Sequence, residues 1–343
     1  LSSIVSTTVG FRIEGAASND QLGKWVSPAG DVNGDGIGDF MIAAPTAQSP
    51  LLSAGNSAGV VYVIFGRNFL FDVFTDMRAS SIVTGSSQGF RILGASTDDR
   101  VGRGAAAAGD VNGDGIDDVI VSSAIAFNNA GACYVVFGRD IPGGAAAFGD
   151  TNLAMLVTGS TRGFRILGAA ASDTLGTAVS GADINGDGIS DLIIGAASAD
   201  PRTLAANSNA GINYVIFGRD VAHGAPAFGD LNVSALTSGS TLGFRILGPS
   251  ISANSGYAIS AAGDVNNDGV DDFIIGAPAI ASSTKIGAAF VIFGAVALPT
   301  SQPSSHPSRQ TTSQPSRQPT AQPSRQPSGQ PTRQPSGPQG VRV

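Results

Sequence analysis

Four short segments place oxygen-bearing side chains at the spacing of a cation-binding loop. In 31–39 they are Asp31, Asn33, Asp35 and Asp39, with Gly36 for a sharp turn and the carbonyl of Ile37 as a further oxygen. The second copy has Asp110, Asn112, Asp114, Ile116 and Asp118, and the third has Asp183, Asn185, Asp187, Ile189 and Asp191. The fourth has Asp264, Asn266, Asp268, Val270 and Asp272. Hard oxygen donors at positions 1, 3, 5, 7 and 9 suit Ca²⁺. An EF-hand is excluded, because its bidentate Glu at position 12 is replaced by Ile42, Val121, Ile194 and Ile275. The bland alternative is a Gly/Asn/Asp turn that binds nothing. Three carboxylates in one turn repel unless a cation offsets them, and all four copies keep the full set, so about four Ca²⁺ are expected.

Little else in the composition can do chemistry. Glu14 is the one Glu, Lys24 and Lys285 the two Lys, and His223 and His306 the two His. The acids are committed to the loops, so no general acid/base pair stands out and a non-enzyme is expected. The single Cys133 excludes an intrachain disulfide framework, and it reads as a small buried hydrophobe. His223 has no repeated Ser or Asp beside it. Asn232-Val233-Ser234 is a glycosylation sequon.

The loops need strands to hold them. GFRI recurs at 10–13, 89–92, 163–166 and 243–246, and an apolar run ending in FG recurs at 61–66, 133–138, 213–218 and 289–294. One unit reads as four short strands, in 83–94, 102–111, 118–124 and 131–138, joined by Gly- and Asn-rich turns. With Glu and Lys nearly absent, a helix-rich fold is excluded. Radial repetition of such sheets gives an all-β propeller over 1–298. The first GFRI strand precedes any complete unit and the last FG strand has no GFRI after it. The expectation is a four-bladed ring closed by the N-terminal strand; the competing reading is an arc of a larger ring. Phe11, Phe90, Phe164 and Phe244 are expected in the core. Arg12, Arg91, Arg165 and Arg245 alternate with them, either solvated or against a neighbouring carboxylate.

At 299–343 the composition changes to a Pro/Ser/Gln repeat with five Arg and no acid. This segment is read as a disordered, partly polyproline-II spacer. It leaves 1–298 with 14 Lys plus Arg against 26 acids, a balance that disfavours a nucleic-acid partner. No apolar run is long enough to span a membrane.

GDVNGDGIDDVIVSS, GADINGDGISDLIIGAA and GDVNNDGVDDFIIGAP resemble the FG-GAP repeats of integrin α-subunit propellers and their microbial relatives. The "GAP" element is intact only at Gly276-Ala277-Pro278, and the "FG" element has lost its aromatic at Leu22-Gly23, Val101-Gly102, Leu175-Gly176 and Ser255-Gly256. The resemblance implies Ca²⁺ in the four loops and a ring of seven blades. The expected function is a calcium-stabilised extracellular or cell-surface adhesion module on a Pro-rich spacer, with a protein or glycan ligand. The alternatives are an enzyme acting on polysaccharide or lipid, and a structural spacer in a larger surface protein. Ligand binding is expected opposite the metal loops, on segments that vary between copies, such as 67–80 with Phe69, Leu70, Phe71, Phe74 and Met77. Trp25 stands where the other copies have Arg103, Thr177 and Tyr257, and an exposed Trp there can stack on a sugar.

Overall fold

The computed structural model describes residues 10–68, 74–142, 147–201, 204, 208–281 and 286–296. The 299–343 tail and Phe69, Leu70 and Phe71 lie outside them. Within 1–298 the chain is all-β, and the helical elements among the described residues are turns of three or four residues. The first sheet contains Trp25–Gly30, Asp39–Ala44, Val60–Ile64 and Gly89–Leu93, antiparallel in that order. The second repeats it with Gly104–Gly109, Asp118–Ser123, Ala132–Val136 and Gly163–Leu167. The third has Leu175–Ala182, Asp191–Ala196, Ile212–Ile216 and Gly243–Leu247. The fourth has Ala258–Gly263, Asp272–Ala281 and Ile286–Ile292, with no GFRI strand among the described residues.

Each GFRI strand therefore closes the sheet begun by the preceding unit. Its outer edge then takes a two-residue parallel strand from the next connection, as in Thr151–Asn152 on the first sheet and Leu231–Asn232 on the second. The N-terminal copy follows the same rule. Ile13–Glu14 pairs with Met77–Arg78, beside the first sheet. Among the described residues this copy is held by that connection and is not paired with the last sheet, so the expected four-bladed ring sealed by it is not shown.

A repeated stack explains this hold. Phe90 lies parallel to Phe148 at 4.1 Å, Phe164 to Phe228 at 4.2 Å and Phe11 to Phe74 at 4.3 Å. Arg139, Arg219 and Arg67 cap the second ring of each pair at 4.6, 4.7 and 4.9 Å. Two residues after each second ring an Asp receives the GFRI arginine. Arg91 donates Nε to Asp150 Oδ1 at 2.9 Å and Nη2 to Oδ2 at 2.5 Å. Arg165 forks onto Asp230 in the same way, and Arg12 reaches Asp76 at 3.2 Å. These arginines contact a neighbouring carboxylate, the second of the two expected readings. The Phe74 ring is packing, not an open patch.

The apolar cores form at the junctions between sheets. One joins the first and second sheets through Met41, Val63, Phe90, Val119 and Tyr134, and the next joins the second and third through Ile120, Val135, Phe164, Leu192 and Tyr214. Cys133 is buried here, where burial pushes its thiol up and keeps it protonated. Phe244 departs from expectation: it is 38% exposed, whereas Phe90 and Phe164 are at 1% and 2%. No described residue supplies its stacking ring, because Ala295 follows the fourth FG where Arg67, Arg139 and Arg219 follow the others.

Phe164→Ala removes a ring that is buried and stacked, so it should cost about 3–5 kcal/mol in denaturant unfolding. Phe244→Ala should cost less than about 1.5 kcal/mol. Equal losses at the two sites would refute the stack as the element that holds a GFRI strand.

Candidate metal centre

Each acidic loop joins the end of a sheet's first strand to the start of its second. Gly30, in the left-handed region at φ 79°, turns the chain into the first loop and packs against Asp117, so a side chain there would collide. Inside the loop the first carboxylate organises the turn. Asp31 Oδ1 accepts from the N–H groups of Gly34 and Asp35 at 2.9 and 3.1 Å, and Oδ2 from Gly36 at 2.7 Å. Asn33 Oδ1 accepts from Asp35 N–H and Asp35 Oδ1 from Ile37 N–H. The other loops repeat these bonds, down to Asp264 accepting from Asp268 and Gly269 at 3.1 and 2.8 Å.

The carboxylate at position 9 is set differently. Asp39 is buried, and its two oxygens accept from Val32 N–H at 3.0 Å and Gly66 N–H at 2.7 Å. Asp118 takes the same bonds from Val111 and Gly138, Asp191 from Ile184 and Gly218, and Asp272 from Val265 and Gly294. The glycine donors belong to the FG turns at the end of each sheet's third strand. These glycines are functional residues that the sequence reading missed, although the invariant FG after each apolar run was a visible signal.

Burial pushes Asp39 and Asp191 up to about 7, partly opposed by their backbone donors and reinforced by the carboxylates at positions 5 and 1. The same causes raise Asp118 well above the usual carboxylate range. A buried carboxylate beside two others is the arrangement a divalent cation relieves. Among the described residues no three His, Cys, Asp or Glu side chains make a metal cage by themselves. The donor set in each loop includes an Asn oxygen and a carbonyl as well, which suits a hard cation with oxygen ligands. The residues present fit Ca²⁺ on that chemistry. The residues that would hold it are the predicted positions 1, 3, 5, 7 and 9 of each loop.

The loops also tie one sheet to the next. Asp117 N–H donates to Asp31 C=O at 3.3 Å, Ser190 to Asp110 at 2.8 Å and Asp271 to Asp183 at 3.1 Å. Arg139, Arg219 and Ala295 N–H donate to the carbonyls of Val32, Val111 and Ile184. Strands on the FG side therefore lead into the metal-loop side, so Arg67 and Asn68 begin their connection beside the loop and not opposite it as expected. His223 has a partner the sequence did not show: its Nδ1 lies 2.6 Å from Asp220 Oδ1 at the surface. Asn232 of the sequon is exposed, and its amide donates to Gly168 C=O at 3.2 Å.

Asp118→Ala removes the acceptor of two buried N–H groups. It should lower stability by about 2–4 kcal/mol even in excess chelator. A loss seen only when calcium is present would show that Asp118 acts through a metal alone.

Residues 25–64, 175–216 and 255–292 match the FG-GAP repeat. The second copy, with the loop at 110–118, falls outside those matches and is recognised by its sheet and loop. Over 123 residues the chain is 37% identical to phosphatidylinositol-glycan-specific phospholipase D of Bos taurus, which is 35% of this chain and 13% of that protein. Integrin alpha pat-2 of Caenorhabditis elegans is 28% identical over 195 residues, 55% of this chain and 13% of the relative. Integrin alpha-4 of Xenopus laevis is 27% identical over 199 residues, 57% and 16% respectively. The alignments thus span between 13% and 16% of the length of these relatives. With three matched repeats, four sheets built on one plan and integrin alpha subunits among its relatives, the chain carries FG-GAP repeats and is similar to integrin alpha subunits.

Proposed function

We propose that residues 1–298 are consecutive blades of an extracellular, calcium-stabilised β-propeller that serves adhesion or ligand binding without catalysis. One observation carries the reading: the buried, doubly bonded carboxylate at position 9, set beside two further acids, recurs in four copies of the loop. Calcium at such sites offsets the repulsion and stiffens the junctions that the loops span. Loops of this kind in extracellular modules work at millimolar calcium, which supports a place outside the cell or on its surface. The integrin relatives support an adhesion role. The Pro/Ser/Gln segment 299–343, outside the described residues, serves as a spacer.

The bovine phospholipase relative supports a second reading, an enzyme acting on lipid. The acids of the four loops are already engaged by backbone donors, so the binding reading is preferred.

If calcium stands at ten times its Kd, each site adds about 1.4 kcal/mol, or roughly 5–6 kcal/mol for four. Calorimetry in excess chelator should therefore show a lower melting temperature, restored by calcium. An unchanged melting temperature would sink the calcium reading.

A further inference from the structure

The end of each sheet opposite its metal loop carries a different chemistry. In the first sheet Gly30 lies across from Asp39 beside the loop, while Trp25 lies across from Ala43 at the far end. Trp25, Arg103, Thr177 and Tyr257 line a single cavity of about 270 Å³. The strand registers set Arg103, Thr177 and Tyr257 in the place that Lys24 holds in the first sheet, with Trp25 one residue further along, so Trp25 does not stand where the other copies have them. A second cavity of about 230 Å³ shares Trp25 and Arg103 and adds Lys24 and Arg100. Trp25 is 45% exposed and Tyr257 62%.

Three features make this more than a wet surface. Lys24, Arg100 and Arg103 form no ion pair with any described residue, although Arg91 and Arg165 each fork onto an aspartate. They gather in a region whose 14 basic residues are outnumbered by 26 acids. The rim is also conformationally fixed. Gln21, Arg100, Thr174 and Asn254 occupy the same place in successive copies, and all are left-handed, at φ 55°, 51°, 56° and 50°. For a β-branched residue such as Thr174 that conformation is a clear outlier. It is held by backbone bonds from the neighbouring connection: Arg100 N–H to Ser57 C=O, Thr174 to Asn129 and Asn254 to Asn209, at 3.1, 2.8 and 3.0 Å.

We infer that these two adjoining cavities form a binding site for an anionic saccharide, a chain of sugar rings bearing carboxylate or sulfate groups. The inference deepens the proposed binding function and rests on it. Trp25 and Tyr257 offer flat faces for the C–H faces of sugar rings, the two guanidinium groups offer forks for carboxylate or sulfate, and the Thr177 hydroxyl and Asn254 amide can bond ring hydroxyls. The cavities are each of single-ring size and adjoin at Trp25 and Arg103, so the ligand runs from one to the other. Nucleic acid is disfavoured by the surrounding acidity.

Titration calorimetry of the full chain in calcium tests this with four probes: a heparin octasaccharide, an octagalacturonate, neutral cellohexaose and poly-glutamate. The expected result is binding of at least one anionic saccharide, with cellohexaose and poly-glutamate much weaker. Which of the two anionic probes wins tells sulfate from carboxylate. Trp25→Ala, and separately Arg100→Gln with Arg103→Gln, should each weaken binding at least about tenfold, and the double Arg variant should flatten the salt dependence. All these residues are exposed, so melting temperatures should hold, which separates lost binding from lost folding. No binding of either anionic saccharide overturns the inference, as does binding that both variants leave intact. Poly-glutamate binding as tightly as the saccharide overturns it in favour of an acidic peptide. A chain that melts lower in chelator yet binds neither saccharide removes this inference and leaves the calcium reading standing.

Discussion

A buried carboxylate fastens three parts of every sheet to one point. Asp39, Asp118, Asp191 and Asp272 each bond the second residue of their own loop and the glycine that ends the third strand. The loop is thereby fixed to the far side of its sheet, and the strand between them cannot slide without breaking both bonds. The same fixed loop presents its first and second carbonyls to the next sheet. Loop geometry, sheet register and inter-sheet packing thus meet in one residue type at one position. A neutral Asn would satisfy one N–H as well as the aspartate does and would turn its own NH₂ towards the other. Keeping a charge there costs desolvation, which is why burial raises Asp39 and Asp191 to about 7 against the pull of their two backbone donors.

The array behaves as a one-dimensional repeat, in which a residue's environment is supplied by its neighbours. Phe164 and Phe244 occupy the same place in the same GFRI strand. One is sealed under Phe228 and the other stands 38% exposed, because only the first is followed by a unit that carries the covering ring. Trp25 and Val26 on the outward side of the first sheet are exposed, at 45% and 70%, where the equivalent Gly104 and Ala105 of the second are buried and partly buried. Stability is therefore unequal along the chain, greatest at the two junctions between the first three sheets, where the large apolar clusters lie.

The units, their strands and the four loops were legible because each rests on local spacing. Period-two apolar runs mark strands, and Asp, Asn and Gly at fixed offsets mark a turn that must bind or repel. What holds the first GFRI strand was not legible: its ring and its carboxylate come from a connection some 60 residues later. Local pattern does not pair Phe11 with Phe74, or Arg12 with Asp76. The signal was present as a repeated Phe-x-Asp, at 74–76, 148–150 and 228–230, but its partner could be named only from the fold. Cavity-lining residues were legible one at a time. Trp25 stood out as unique, whereas its meeting with Arg103, Thr177 and Tyr257 is a product of four sheets being placed side by side.

The two ends of the sheets therefore answer to different constraints. At the loop end each residue is tied to at least one backbone group, so a change in one copy would unfasten a sheet, and the copies stay alike. At the opposite end one residue of each sheet, Lys24, Arg103, Thr177 or Tyr257, lies just outside the pairs that set register and lines shared space. Lys, Arg, Thr and Tyr can all stand there without altering the strand that carries them. A position that four copies of one unit fill with four different chemistries is free of the packing rule, yet the backbone beneath it is held left-handed in every copy. Rigid support under free side chains is the arrangement in which a scaffold can present a ligand-specific surface without losing stability. The uniform loops and the varied rim are thus two outcomes of one design: the stiffness supplied at the carboxylate end is what permits diversity at the other.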